Sequence, residues 1–234
     1  MYHFQYREFS PSNLLLDQEK GAIPGLKLTY SHLIQSQVIR SHVSLYSGSV
    51  DYTQLPDSSA PHQTDTNEQL INLGLKLIPQ DSEDVLFKPF IGFQYWQWDR
   101  EIETRNGVQG LDEVYRWFEL ELGIKLESEP GPGAGYWLDI SVLSVVKPVM
   151  TLEIYPTNVK FDLGSGSGYR IRAGKSWVLN QRLFGSVSLF TEYWEFGRSK
   201  MYYVEDYFGQ SSYLTEPRSE SLHSGIEISF NYRF

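Results

Sequence analysis

The sequence predicts an all-β fold, a ten-stranded antiparallel up-and-down transmembrane β-barrel that occupies residues 1–234 as a single domain. Three observations lead to this prediction. Apolar and polar residues alternate with a period of two in ten separate segments, as they do on the two faces of a β-strand. Long and short connections alternate between these segments. Helical spacing is not sustained anywhere, and no apolar run approaches the ~18 residues that a membrane-spanning helix needs.

The alternating segments follow one another along the whole chain, and each presents its apolar residues at every second or nearly every second position. In chain order the apolar sets are Tyr2, Phe4, Tyr6; Leu26, Leu28, Tyr30; Ile39, Val43, Leu45; Ile71, Leu73, Leu75, Leu77; Ile91, Phe93, Tyr95; Phe118, Leu120, Leu122, Ile124; Leu138, Ile140, Val142; Tyr169, Ile171, Ala173; Val187, Leu189, Tyr193; and Ile226, Ile228, Phe230, Tyr232, Phe234.

The connections fall into two classes by length. Long ones lie near 10–24, 53–67, 101–113, 147–166 and 197–220, and short ones near 34–37, 79–86, 127–134 and 179–183. Alternation of this kind sorts the long loops to one end of a barrel and the short turns to the other, as in membrane barrels. It also places both chain ends on the side of the short turns. Eight or twelve strands are the alternatives if a segment near 147–166 is misread.

Alternation does not say which face points inward, because a soluble barrel buries its apolar face and a membrane barrel exposes it. The positions of the aromatic residues favour the membrane arrangement, since those at the strand ends would form two girdles around an aliphatic band. A soluble ligand-binding barrel remains the alternative. The girdle residues are Tyr2, Tyr6, Tyr95, Trp177, Tyr193, Tyr232 and Phe234.

The last strand, "GIEISFNYRF", resembles the C-terminal signature of Gram-negative outer-membrane β-barrel proteins. The resemblance implies a bacterial outer-membrane location, with outer-membrane lipid and lipopolysaccharide as surroundings. It also implies recognition by the barrel assembly machinery through Phe230, Tyr232 and Phe234. No subfamily is matched residue by residue. We expect a monomer whose signal peptide, absent from this chain, has been removed.

Composition excludes several kinds of site. With no cysteine, the chain has no disulfide, no thiolate metal site and no cysteine nucleophile. A net charge of -9 argues against nucleic acid as a partner, because binding to phosphates needs a basic surface. No metal-binding or cofactor-binding motif is present, so we expect neither a metal nor a cofactor.

Charged residues alternate with the apolar sets, and in the membrane arrangement they face the lumen. This set is more basic than acidic, whereas the long loops are acidic. We interpret it as a charge-paired plug, because charges removed from water must pair, with a narrow anion-preferring passage as the second interpretation. The set is Arg7, Lys27, Arg40, Lys76, Glu119, Glu121, Lys125, Asp139, Arg170, Arg172, Glu192, Glu227 and Arg233.

Four tryptophans, Trp96, Trp98, Trp117 and Trp194, fall on the same predicted inner face near the outer rim. They would close the lumen around Arg100, and a second interpretation is that they stack on a sugar or an aromatic solute. Together these features predict a narrow or plugged outer-membrane barrel that acts as a small pore or as a surface-interaction protein.

A hydrolase acting on lipid A, phospholipid or peptide is the alternative function. Its candidate residues are Asp99, Glu101 and Glu103 with His223, or the His42 and Ser44 pair in "SHVS". Neither set completes a nucleophile, base and orienting acid. The sequence therefore assigns no catalytic residue, and whether the protein is an enzyme stays open.

Overall fold

The computed structural model describes residues 2–35, 37–55, 62–79, 87–106, 110–128, 135–154, 157–181, 183–205 and 211–232. Among them there is no helix long and apolar enough to cross a membrane. The strands, in chain order, are β1 (Tyr2–Phe9), β2 (Leu15–Ile23), β3 (Gly25–Ile34), β4 (Gln37–Gln54), β5 (His62–Pro79), β6 (Phe87–Ile102), β7 (Asp112–Glu127), β8 (Gly135–Ile154), β9 (Thr157–Asp162), β10 (Gly166–Val178), β11 (Leu183–Phe196), β12 (Tyr202–Glu205), β13 (Ser211–Leu214) and β14 (Arg218–Tyr232).

The strands close into one antiparallel barrel with ten wall positions. Two positions are each filled by two consecutive strands: β2 with β3, which Pro24 separates, and β9 with β10. The remaining pair, β12 and β13, forms a separate two-stranded hairpin at the outer end. The predicted ten-stranded antiparallel barrel is therefore confirmed.

The first strand joins the two ends of the sheet. It pairs with β14 from Tyr2 opposite Gly225 to Phe9 opposite Arg218, and its other edge pairs with β2. On the side of Tyr2 that faces the short turns, the described residues show β3 paired with β4 and the end of β14 paired with β11. The short strand β1 thus closes the outer half of the barrel.

Several connections predicted to be long are largely strand. The first is a tight turn over 10–14, closed by a hydrogen bond from the Ser10 amide to the Leu14 carbonyl (2.8 Å) with Asn13 at a φ of 65°. The strand β4 runs to Gln54, and β8 and β9 occupy most of 147–166. The predicted loops were too long because above the belt the outward face becomes polar while buried apolar residues such as Val50 and Met150 lie on the inward face, which reverses the expected pattern but does not interrupt the hydrogen-bonded ladder.

A belt of exposed apolar side chains surrounds the lower half of the barrel. On β7 it extends from Phe118 to Leu126, nine residues or about 26 Å along the strand, close to the ~9–11 residues of a membrane-spanning strand. Such a belt fits lipid and does not fit the soluble alternative. It includes Leu26, Leu28, Leu45, Leu73, Leu75, Ile91, Phe93, Leu120, Leu122, Ile140, Val142, Ile171, Leu189, Ile228 and Phe230.

The upper half of the wall has a polar outer surface. On β6 the outward residues change from Ile91 and Phe93 in the belt to Gln97, Asp99 and Glu101 above it. The barrel wall therefore continues as a sheet beyond the lipid on the side of the long connections.

The orientation of β1 corrects one prediction. Tyr2, Phe4 and Tyr6 point into the lumen and are at most 3% exposed, so Tyr2 and Tyr6 belong to the interior and not to a lipid-facing girdle. Arg7 consequently lies on the outer face, where its guanidinium pairs with Glu220 at 3.2 Å. The physical reason is that β1 lies mostly above the belt, where the lumen is filled by aromatic side chains.

The belt predicts a depth-dependent cost for charge. Replacing Leu122, which is central in the belt, by Arg should lower the free energy of unfolding by about 2–4 kcal/mol. Replacing Ser49, which is outward on β4 but above the belt, by Arg should change it by less than about 0.5 kcal/mol. Urea titration of protein folded in liposomes, followed by tryptophan fluorescence, measures both; equal losses would contradict the placement of the belt.

Candidate functional site

The lumen of the barrel has three regions along its length. We call them the outer cavity, above; the aromatic layer, at mid-height; and the arginine cluster, below. The outer cavity is lined by residues of seven strands of the wall, β1, β2, β4, β6, β7, β8 and β9, or next to their ends, and by residues 214–216 at the end of β13 and just after it.

The aromatic layer consists of Phe4, Tyr6, Trp96, Trp98, Trp117, Trp194 and Phe196. Trp96 and Trp117 stack with ring centroids 5.7 Å apart, and Trp194 lies 5.4 and 5.7 Å from them. Phe4 and Tyr6 meet the ring of Trp98 edge-on. The indole N–H of Trp98 donates to Glu68. The rings thus contact one another and form one buried cluster inside the barrel.

The four tryptophans expected at the outer rim therefore lie one level deeper. Trp98, Trp117 and Trp194 are at most 1% exposed, and the outer cavity lies above them. They face inward as expected, but they lie in the middle of the lumen and are not among the described residues that line the outer cavity.

The arginine cluster lies below the aromatic layer. The Arg170 guanidinium contacts three carboxylates: Glu192 at 2.6 Å, Glu119 at 3.0 Å and Glu121 at 3.1 Å. All four side chains are buried. The chain brings them together from β7, β10 and β11, although Glu119 and Arg170 are 51 positions apart.

A chain of amide and imidazole groups extends from this cluster. Glu121 accepts hydrogen bonds from Gln94 (3.2 Å) and Ser141 (2.8 Å), and Gln94 in turn accepts one from Asn72 (3.1 Å). His42 Nε2 donates to Asn72 at 2.6 Å. His42 therefore has an amide partner and does not form the catalytic pair with Ser44 that the sequence suggested.

The remaining predicted lumen charges lie nearer the short-turn end. Arg172 pairs with Glu227 at 2.6 Å, and Lys27 is 3.9 Å from the same carboxylate. Lys76 pairs with Glu121, Lys125 with Glu127, and Arg40 donates to the hydroxyl of Ser31. Asp139 is buried.

Two predicted residues are not placed. Arg233 and Phe234 lie outside the described residues, and the side chain of Tyr232 is not described. Phe230 points outward and is 70% exposed, in line with a lipid-facing stripe on β14.

The prediction of a net basic lumen is wrong for the described residues. Carboxylates from the strand tops add to the interior and outnumber the cations. The sequence reasoning missed them because they fall in segments predicted to be loops or at the ends of predicted strands. Those that lie in strands point to the lumen together with every second residue of their strand. They are Glu8, Asp17, Glu19, Glu68, Glu113 and, from the segment before β14, Glu216.

The outer cavity is built around Arg100, whose side chain is 2% exposed. One terminal nitrogen of its guanidinium contacts Glu19 at 2.5 Å, and the other contacts Glu113 at 2.6 Å and Tyr115 at 3.1 Å. Glu8 is 3.6 Å from the guanidinium. The cavity has a volume of about 410 Å³.

Glu216 closes one side of the outer cavity from the segment between β13 and β14. Its carboxylate accepts a hydrogen bond from the Tyr115 hydroxyl at 2.7 Å. Burial raises the pKa of Glu216 well above its usual value, and the nearby carboxylates Glu8 and Glu113 raise it further. Acidic side chains are thus concentrated here, and burial together with their mutual repulsion favours the protonated form of Glu216.

The residues of the hydrolase hypothesis are not brought together. Asp99 and Glu101 lie on the outer surface of β6, where Gln97 donates to Asp99. His223 points into the lumen and packs against Trp194, with ring centroids 4.2 Å apart. Among the described residues, no three His, Asp or Glu side chains are placed to hold a metal ion.

Comparison with solved structures identifies the fold. The outer-membrane protease OmpT of Escherichia coli superposes with a TM-score of 0.57 at 11% identity, covering 100% of this chain and 93% of OmpT. The fold is that of an outer-membrane β-barrel protein. At this identity the likeness concerns the fold alone.

Two further barrels match more distantly. The β-domain of the Bordetella autotransporter BrkA gives a TM-score of 0.40 at 12% identity, covering 100% of this chain and 98% of that domain. The Pseudomonas putida toluene transporter TodX gives 0.33 at 6% identity, covering 100% and 88%. No protein-family model and no curated protein matches the chain.

The arginine cluster should be essential for stability. Replacing Arg170 by Met leaves the buried carboxylates Glu119 and Glu192 without a cation and Glu121 with Lys76 alone, so the free energy of unfolding should fall by about 3–5 kcal/mol. Replacing Arg7 by Met removes a half-exposed surface pair and should cost at most about 1 kcal/mol. Urea unfolding in liposomes compares the two variants, and a loss for Arg170→Met no greater than for Arg7→Met would refute the role of the cluster.

Glu216 should make stability depend on pH. Because its pKa is higher in the folded protein than its ordinary value near 4.5, the folded state holds the proton more tightly. Its contribution is present below about pH 4.5 and is lost as pH rises through the folded pKa. Glu216→Gln should therefore flatten the decline in stability between pH 5 and neutral pH. Unfolding curves at several pH values measure how the free energy of unfolding depends on pH. The control Glu153→Gln, on the outer face of β8, should show the same pH dependence as the natural protein.

Proposed function

We propose that this protein is a closed, non-conducting barrel of the bacterial outer membrane that acts by binding at the cell surface, through its outer end. Of the two functions predicted from the sequence, we keep the plugged barrel that interacts at the surface and not the small pore. The filled aromatic layer is the observation that carries this proposal.

The aromatic layer supports a closed barrel on energetic grounds. Trp96 and Trp117 stack on the neighbouring strands β6 and β7, and Trp194 meets both from β11 on another part of the wall. A continuous water path would have to separate these rings, and burying a side chain of this size contributes on the order of 2–3 kcal/mol each. The arginine cluster adds a second obstruction below, because opening it would leave Arg170 or its carboxylates unpaired.

The wall above the belt supports a role at the surface. The strands continue beyond the lipid, carry polar residues on the outside and enclose the outer cavity. A rigid wall around a cavity of about 410 Å³ is the usual setting for a small-molecule site.

The expected partners of such a barrel follow from its location. We propose that outer-membrane lipid and lipopolysaccharide surround the belt, that the barrel assembly machinery recognises the end of β14, and that the protein is a monomer. The outward stripe of Ile226, Ile228 and Phe230 supports the first two of these statements.

Planar-bilayer recording tests the closed state. The natural protein should show no steady ion current, because the aromatic layer leaves no continuous water path. The triple variant Trp96→Ala, Trp117→Ala, Trp194→Ala should show a measurable current, since it removes three of the rings that meet at mid-lumen.

The matched control removes aromatic rings from the opposite face. Phe93 and Phe118 stack on the lipid side, with centroids 5.5 Å apart, and their double replacement by Ala should leave the bilayer silent. Heat-modifiable mobility in detergent gels shows whether each variant is folded. A stable current from the folded natural protein would overturn the proposal.

A further inference from the structure

We propose that the outer cavity is a binding site for a small organic cation with two cationic ends, of the diamine or aminoguanidine class. This inference rests on the proposed binding role and names the ligand chemistry. It is carried by four buried carboxylates that line one cavity, and by the absence of a cation partner for two of them.

The first step concerns charge. Glu8, Asp17, Glu113 and Glu216 line the cavity, and each is at most 8% exposed. Among the described residues that line the cavity, Arg100 is the only cation, and its two terminal nitrogens are already occupied by Glu19 and Glu113. Buried carboxylates without a cation are costly, so the cavity favours the entry of positive charge.

The second step identifies the unpaired groups. Asp17 lines the cavity and is 8% exposed. Its carboxyl is hydrogen-bonded to another acid, Glu8, and its Oδ1 atom has no hydrogen-bond partner among the described residues. Glu216 accepts from the Tyr115 hydroxyl and from no cation in the described part of the chain. An ammonium or guanidinium group supplies several N–H donors to a carboxylate, which is the missing contact at both positions.

The third step concerns the rest of the wall. The cavity is also lined by Leu16, Leu152, Met150 and Phe161, and by the ring of Tyr52. An aliphatic chain between two cationic groups would pack against these side chains while its ends reach the carboxylates. A short diamine or aminoguanidine has that form, and it is small enough for about 410 Å³.

Other ligand classes fit less well. Within the described ranges no His, Asp and Glu side chains converge as metal ligands would, because the carboxylates are spread around the wall. An anion would meet four carboxylates, and a neutral polar ligand would leave Asp17 without a cation.

Isothermal titration calorimetry of the full chain in detergent, at fixed ionic strength, tests the proposal. The probes are 1,4-diaminobutane and agmatine, with butylamine as the single-charge analogue and 1,4-butanediol as the neutral one. Saturable one-to-one binding of the two dications is expected, with weaker binding of butylamine and none of the diol. A lysine-containing acetylated tetrapeptide tests whether the cavity also binds an ammonium group that belongs to a peptide.

Variants locate the site. Asp17→Asn and Glu216→Gln should each weaken diamine binding by about tenfold or more, since each removes a charge-assisted contact. Both replace a carboxyl group that has no cation partner among the described residues by an amide of the same shape, so folding should persist, and heat-modifiable mobility checks it. Asp51→Asn is the control, because Asp51 is next to Tyr52 but points outward on β4. Binding should be unchanged in this control.

The outcomes separate this inference from the proposed function. The cation site is overturned if neither dication binds, or if the natural protein and Asp17→Asn bind the dications equally. In that case a bilayer without current still supports the closed barrel. Dication binding that depends on Asp17, combined with a steady ion current, supports the site and overturns the closed barrel.

Discussion

Backbone hydrogen bonding in lipid is the constraint on which this structure depends. Water is absent from the hydrocarbon layer, so every amide and carbonyl there must find a partner within the sheet, and a closed barrel provides one. Closure gives each strand one face toward the lipid and one toward the lumen. Inside the belt the outward face must be apolar. The inward face can carry charge, because the wall separates lumen charges such as Arg170 from the lipid.

The interior is organised by a second requirement, that charges buried in a narrow lumen find partners of opposite sign. The arginine cluster meets it with one guanidinium shared among Glu119, Glu121 and Glu192. In the outer cavity Arg100 is a single cation among several carboxylates of the described lining. Between them lie the rings of the aromatic layer, where the indole N–H groups of Trp96, Trp117 and Trp194 have no hydrogen-bond partner among the described residues. This difference in charge pairing separates the cluster below from the cavity above, to which we assign the binding role.

Period-two alternation was enough to predict the barrel, the belt and most lumen charges, because every second residue of a paired strand lies on the same face of the sheet. It failed at β1, where Tyr2, Phe4 and Tyr6 form an apolar set that faces inward; alternation separates two faces but does not label them. It also failed where strands leave the lipid, since Asp17 then has polar neighbours on both faces. The contact between Arg100 and Glu19 spans 81 positions, which no local pattern encodes.

One irregularity in β8 has a consequence for how this cavity could change. The pairing of β7 with β8 shifts by one residue near Lys147, whose φ is 50°. Below the shift the odd-numbered residues of β8 face inward, and above it Met150 and Leu152 do. If β8 kept a regular pleat through Lys147, Thr151 and Glu153 would face the cavity instead. The bulge therefore decides which residues of β8 form the wall of the cavity, while the pairing of the strands in the lipid stays as it is.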